Sequence, residues 1–271
     1  MLGKNAKQLV DALEITLQEA ERIEKLLARG IDTAFALEEL SKRAIFVTTR
    51  SEQNYPSRLK KILQSKYSPP VVFYCGDPAL ANSEGIAVVG SRRIDEQGEQ
   101  YTRCLVEKAV EQHMTIYSGG AKGVDSIAIS AGLNSGGNAV AFMADSMQRF
   151  SSNIENREAI ADGKLLLLSA VMPTASFSVG NAMARNKYIY SLARATMVIA
   201  SDHGKGGTWS GAVESLKHGW GCVFVQQTDA YAGNLPLLRE GAAPIPPLDD
   251  ISFDELIASE RVSLGQRTLF N

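Results

Sequence analysis

Apolar and polar positions alternate along this chain with two periods, and the switch between them marks out its elements. Leu9, Leu13, Leu17, Ala20, Ile23 and Leu27 recur at helical spacing and predict one helix from about Asn5 to Arg29, ended by Gly30. A shorter helix is predicted over Thr33 to Lys42. Pro56, Pro69, Pro70 and Pro78 then break regular structure, with Val71-Val72-Phe73-Tyr74 between them reading as a short strand. Beyond Ile86 short apolar runs alternate with amphipathic segments. Strands are predicted near Ile86–Val89, Thr115–Tyr117, Ala139–Met143, Leu165–Leu168, Met197–Ala200 and Val223–Val225. Such alternation implies an α/β fold, a doubly wound parallel sheet covered by helices on both faces, with a small N-terminal helical appendage. The chain accordingly divides into a helical region 1–50, a main domain 51–248 and a C-terminal tail 249–271.

The chemistry collects where the first two regular strands end. Gly90-Ser91-Arg92-Arg93 follows one, and Ser118-Gly119-Gly120-Ala121-Lys122-Gly123-Val124-Asp125 follows the next, with a helical stripe of Tyr101, Cys104, Leu105, Lys108, Ala109 and Gln112 between them. A crossover of that length makes the two strands parallel, so both loops open at the carboxyl edge of the sheet, where such sheets bind ligands. Glycines there let the backbone approach a ligand, amides at a helix start attract anions, and Arg92 and Lys122 add positive charge. These features suit a phosphate, of a nucleotide or of a nucleic-acid backbone; they also suit plain turns flanked by solvated cations.

Composition narrows the classes. With 45% hydrophobic and 21% charged residues over 271 positions the chain can bury a large core, and a formal charge of −2 restricts any nucleic-acid site to a local cluster of cations. Lys4 and Lys7 are not followed by the apolar run of a signal peptide, and no stretch is long enough to span a bilayer, so a cytoplasmic protein is expected. Cys75, Cys104 and Cys222 and His113, His203 and His218 lack metal-ligand spacing, which implies reduced thiols and no metal or other cofactor. The dinucleotide fingerprint, the phosphate loop of NTPases and the serine nucleophile elbow are also missing from the sequence, and no catalytic residue is assigned.

The order of six strings, YPSRLKKI, PPVVFYCGD, IAVVGSR, YSGGAKGVD, ARNKYIYSLA and NLPLLREGA, resembles the DprA/Smf family of DNA-processing proteins over approximately Asn54 to Ala243. The resemblance implies an extended Rossmann-like domain that binds single-stranded DNA at the strand ends, often as a homodimer, and that helps load a RecA-type recombinase. Carried over by position, its binding motifs fall on Gly90, Ser91 and Arg92, on Ser118, Gly119, Lys122, Gly123 and Asp125, and on Arg185, Asn186 and Lys187. All are expected to converge on one groove. Arg92, Lys122, Arg185 and Lys187 would neutralise phosphates, and Ser118 with the Gly119–Gly123 amides would donate hydrogen bonds. Asp125 is expected to cap a helix, and Asn186 to tie loops together or touch ligand.

The chain departs from the family pattern at Ile129, where members carry histidine, at Gly204-Lys205-Gly206-Gly207-Thr208-Trp209-Ser210, and at Ser169-Ala170-Val171-Met172-Pro173, which has no acid. Few residues follow Pro247, so the family's C-terminal winged helix is not expected. Compact chains of this type also resemble partners of toxin enzymes in phage defence. A rival resemblance, of Gly206 to Glu214 to the LOG phosphoribohydrolases, would make Glu214 and Arg185 a catalytic pair; another alternative is a nucleotide sensor using the same pocket. Finally, Gln266, Leu269 and Phe270 resemble a peptide that docks on the replication sliding clamp.

Overall fold

A computed structural model describes residues 3–260 of the chain. It divides between Phe46 and Val47 into two compact units. The first holds α1 (Ala6–Leu13), α2 (Leu17–Leu27) and α3 (Gly30–Ser41). The single helix predicted over Asn5 to Arg29 is therefore broken. Glu14 turns left-handed at φ 53°, and Thr16 opens α2 with a reciprocal capping box, its hydroxyl accepting from the Glu19 amide while the Glu19 carboxylate accepts from the Thr16 amide. Gly30 starts α3 rather than ending the helix before it.

The second unit is built on a nine-stranded sheet, whose first strand begins at the boundary residue Phe46, in the order β1-β2-β6-β5-β4-β3-β7-β8-β9. Along the chain these are β1 (Phe46–Thr49), α4 (Ser57–Tyr67), β2 (Val71–Cys75), β3 (Gly85–Val89), α5 (Glu96–Glu111), β4 (Thr115–Ser118) and α6 (Val124–Asn134). They continue as β5 (Ala139–Met143), α7 (Met147–Ser151), α8 (Ile154–Ala161), β6 (Leu165–Ser169), α9 (Val179–Leu192) and β7 (Ala195–Val198). The last elements are α10 (Gly206–His218), β8 (Cys222–Val225), α11 (Asn234–Arg239) and β9 (Ala243–Pro244). From β3 to β9 every described pairing is parallel, and β2 pairs antiparallel with β6. The doubly wound fold is thus present, with β2 as the antiparallel exception to the all-parallel expectation. β1 and β9, four and two residues long, are the two strands that the pattern does not reveal.

Alternate residues of each strand feed opposite layers. Ile86 and Val88 of β3 pack with Leu105, Val106 and Ala109 of α5 and Ala128 of α6, while Ala87 and Val89 face Leu59 and Leu63 of α4 and Ile189 and Leu192 of α9. The segment expected as a tail is partly core. Ile251, Phe253 and Ile257 are buried in the α5 layer, and the Gln112 side chain donates to the Ile251 carbonyl and accepts from the Phe253 amide. Gln266, Leu269 and Phe270 lie outside the described residues. No helix among the described residues is long and apolar enough to cross a membrane.

Candidate nucleic-acid interface

Strand order reverses at β3, with β4 to β6 on one side and β7 to β9 on the other. The two glycine loops open at this reversal. Gly90 leaves β3 where a Cβ would lie 2.9 Å from the Val124 Cβ and 3.2 Å from the Ala200 amide, so α6 and the end of β7 close on it from both sides. Ser91 is then bonded down: its amide donates to the Ala200 carbonyl at 2.9 Å, its carbonyl accepts from the Val124 amide at 3.3 Å, and its hydroxyl accepts from the Arg93 amide at 3.2 Å. Arg92 and Arg93 project outward from that anchored turn and are exposed. Gly123 sits at φ 83° with the space for a Cβ taken up by the Ser91–Arg92 backbone, so the second loop rests on the first.

Behind the loops lies a buried ion pair. An Nη of Arg185 sits 3.4 Å from a carboxylate oxygen of Asp125, with side-chain exposures of 8% and 9%, and Gly119 lies so close that any Cβ there would overlap both groups. Burial pushes the Asp125 carboxyl above the usual range, opposed by the Arg185 guanidinium and by hydrogen bonds from the Ala121 and Gly90 amides. Asp125 is therefore not the expected helix cap, since α6 starts after Gly123 and the carboxylate turns inward to fasten three segments together. Arg185 is not the solvated track residue that its sequence position suggests. Its Nε is buried without a protein partner among the described residues, and its side chain forms part of the wall of both cavities described next.

Two cavities of about 820 and 520 Å³ meet over this pair, sharing Arg92, Ala121, Phe177, Ala182 and Arg185. The larger runs past Lys122 and under α7, taking in Asp145, Arg149, Phe150 and Asn153. The smaller runs between the ends of β3 and β7 and takes in Arg93, Asn186, Asp202 and Lys205. Together they form a groove along the carboxyl edge. With the Arg185–Asp125 pair self-neutralised, its wall carries Arg92, Arg93, Lys122, Arg149 and Lys205 against Asp145 and Asp202. Apolar surface accompanies the charge: Phe177 and Val179 are 51% and 68% exposed, and the Arg92 guanidinium stacks over the Phe177 ring at 4.9 Å.

The structure brings Gly90, Ser91, Arg92, Gly119, Lys122, Arg185 and Asn186 to this groove, with Gly123 supporting it from behind. Asn186 spends its amide on the Gly207 carbonyl at 2.8 Å, tying α9 to the start of α10. Ser118 is not available to a ligand: it is buried, and its hydroxyl donates to the Val88 carbonyl across the sheet at 2.7 Å. Lys187 does not join the others either. It lines neither cavity and rests over the rings of Tyr67 and Tyr188 instead. Glu214, the candidate partner of Arg185 in the phosphoribohydrolase reading, is exposed on α10 and lines neither cavity.

Arg149, Phe150 and Phe177 escape the sequence reading. Arg149 follows β5 at the same sheet edge as the two glycine loops, so the rule that located those loops also applied to it. Phe177 lacks any comparable signal, because it sits in an irregular stretch before α9. Among the described residues no group of three His, Cys, Asp or Glu side chains could hold a metal.

Residues 46–255 match the family described as DNA recombination-mediator protein A. The chain is 30% identical over 169 residues to the DNA processing protein DprA of Streptococcus pneumoniae, covering 62% of this chain and 58% of the relative. It is 29% identical over 185 residues to Protein Smf of Synechocystis, covering 65% and 46%. It thus spans about half the length of these curated relatives. Among solved structures, DprA of Streptococcus pneumoniae superposes with a TM-score of 0.68 at 24% identity over 92% of both chains. DprA of Helicobacter pylori, described for its single-stranded DNA binding mode, does so with a TM-score of 0.60 at 24% identity over 75% of this chain and 93% of that one.

Proposed function

Because the chain belongs to the DNA recombination-mediator protein A family, we propose that it binds single-stranded DNA along the groove at the carboxyl edge of its sheet. It acts there as a recombination mediator, without turnover of its own. The observation that carries this reading is the pairing of Arg92, Arg93, Lys122, Arg149 and Lys205 with the exposed Phe177 ring along one open groove. A single strand needs that combination of a cationic track and an aromatic face, because phosphates are neutralised while unstacked bases find a new surface. A duplex hides its base faces and gains only the charge term. The relatives described as DNA processing proteins support the reading, as does the neighbour described for single-strand binding. A mediator holding a strand in this way would pass it to a RecA-type recombinase, and a second copy of the chain would double the bound length.

Oligonucleotide fluorescence anisotropy across a salt series tests the proposal. The parent should bind single strands better than duplex, with a log–log salt slope of about −0.7 per neutralised phosphate. Arg92→Ala and Lys122→Ala should each flatten that slope by about one contact without changing the melting temperature. A parent without salt-sensitive binding, but with a melting temperature raised by a nucleoside monophosphate, would show that the groove is a nucleotide pocket.

A further inference from the structure

Away from the groove, the layer formed by α4, α9 and α10 carries a second concentration of charge and rings. Tyr67, at the end of α4, is 39% exposed, and two ammonium groups lie close to its ring: Lys66 at 4.9 Å from the ring centroid and Lys187 at 5.8 Å. Lys187 also lies 5.4 Å from the Tyr188 centroid. His218, in the last turn of α10, stands 6.2 Å from Tyr67 and stacks on Trp220 at 5.4 Å with an interplanar angle of 19°. No carboxylate among the described residues forms an ion pair with Lys66 or Lys187, and the nearest acid along α10 is Glu214, one turn before His218.

Two like charges over one ring are costly to hold together, and each cation–ring contact returns only about 0.5–1 kcal/mol at an exposed site. Such an arrangement stores unspent positive potential beside an exposed aromatic face, which is the pairing that a single strand uses. Continuity with the groove comes from α9. Met183 lines the smaller cavity, and Lys187 follows it at i+4 on the same helix face, so one strip of surface leads from the groove to Tyr67.

We propose that Lys66, Tyr67, Lys187 and His218 form a second contact site for the same single strand, which leaves the groove past Met183 and lays a base on Tyr67 between the two lysines. This rests on the groove reading above and extends it: the site should matter only to strands long enough to run off the sheet edge. An acidic protein segment is the competing occupant, but it would use the charges and leave the ring idle.

The test compares an oligonucleotide of about 6 nucleotides, enough for the groove alone, with one of about 20. The parent should bind the longer strand with a steeper salt slope. Lys66→Ala combined with Lys187→Ala should reduce that slope by about 1.4, two phosphates at about 0.7 each, and leave the shorter strand untouched. Arg92→Ala should weaken both lengths, and loss of that effect would indict the groove rather than the second site. Photocrosslinking of a 5-bromouracil strand should mark Tyr67 in the longer complex only. Equal slopes for both lengths in the parent, or no crosslink at Tyr67, overturns the proposal. So does a poly-glutamate peptide whose binding depends on Lys66 and Lys187 while strand length has no effect.

Discussion

Replacing Arg185 with methionine removes one half of the buried pair and keeps most of the side-chain volume. The Asp125 carboxyl is then left 9% exposed beneath Gly119 with only the Ala121 and Gly90 amides as donors. Breaking a buried pair in this way costs about 3–5 kcal/mol. The 3.4 Å separation and the single contact point to the lower end of that range. For a unit of this size each kcal/mol lowers the melting temperature by about 2–4 °C, so a fall of roughly 6–12 °C is expected. The double variant Arg185→Met with Asp125→Asn carries no buried charge and should recover much of the loss, with a coupling of about 1–3 kcal/mol. Burial raises the Asp125 pKa, and the arginine that opposes it is gone in the single variant, so this carboxyl sits further above its unfolded value. A raised acid contributes its stability below the unfolded pKa and loses it as pH rises through the folded one. The single variant should therefore close part of the gap to the parent as pH falls toward the unfolded carboxylate value of about 4, and the double variant should not. Thermal unfolding followed by circular dichroism at several pH values reads both effects. Equal, pH-independent losses in the single and double variants would refute the argument, because the charge would then not be the source of the cost.

Phe177→Ala should weaken single-strand binding by about 1–3 kcal/mol in anisotropy while leaving the salt slope unchanged, because a stacking face is lost and no phosphate contact is; a flattened slope would mean that the ring acts through Arg92. Gly119→Ala should unfold at a lower temperature and also lose affinity, since its Cβ would displace the Arg185–Asp125 pair from the groove wall; a variant with parental melting and binding contradicts that packing. Asp95 caps α5 by accepting from the Gly98 amide and from the Tyr231 hydroxyl at 2.6 Å, and the Tyr231 bond, followed by the amide, holds its carboxyl below the usual range. A depressed acid stabilises above its unfolded value and loses that contribution as pH drops through the folded one, so the melting gap between the parent and Asp95→Asn should shrink below about pH 4. A gap that is constant with pH would assign the effect to the hydrogen bonds alone.

The sheet was legible because β3 to β8 are buried on both faces and read as short, largely apolar runs, as at Ala139–Met143, where prediction and structure coincide. β1 and β9 were not legible. They are short and half-exposed, and Pro244 stands in the second. The break between α1 and α2 had a signal, Thr16 followed three residues later by Glu19, but the apolar stripe continues across it and masks the cap. In the site, glycine loops and their cations could be located by strand-end position alone, which is why Arg92 and Lys122 line the groove at the strand ends. What strand position cannot supply is the direction of a side chain around a helix or inside a loop. Arg185 and Lys187 are two residues apart and part company on α9, one toward Asp125 and the other toward Tyr67. Ser118 reads as a donor to ligand and is spent within the sheet.

The two glycine loops are not independent. Gly123 rests against the backbone of Ser91 and Arg92, the Val124 amide donates to the Ser91 carbonyl, and Ser91 is held in turn by Ala200, so neither loop can swing without the other. A floor so braced has little conformational freedom left to surrender when a ligand arrives, and the entropy of ordering falls almost entirely on the flexible strand. Capture should then be governed by electrostatic encounter rather than by closure of the protein, with association rates that fall steeply with ionic strength and change little with mutations beneath the loops. Residence time of a strand bound as proposed would, by contrast, be set by how many bases and phosphates are engaged at once. On the proposed reading, such a strand would be peeled off from one end, a nucleotide at a time, by a protein that competes for it.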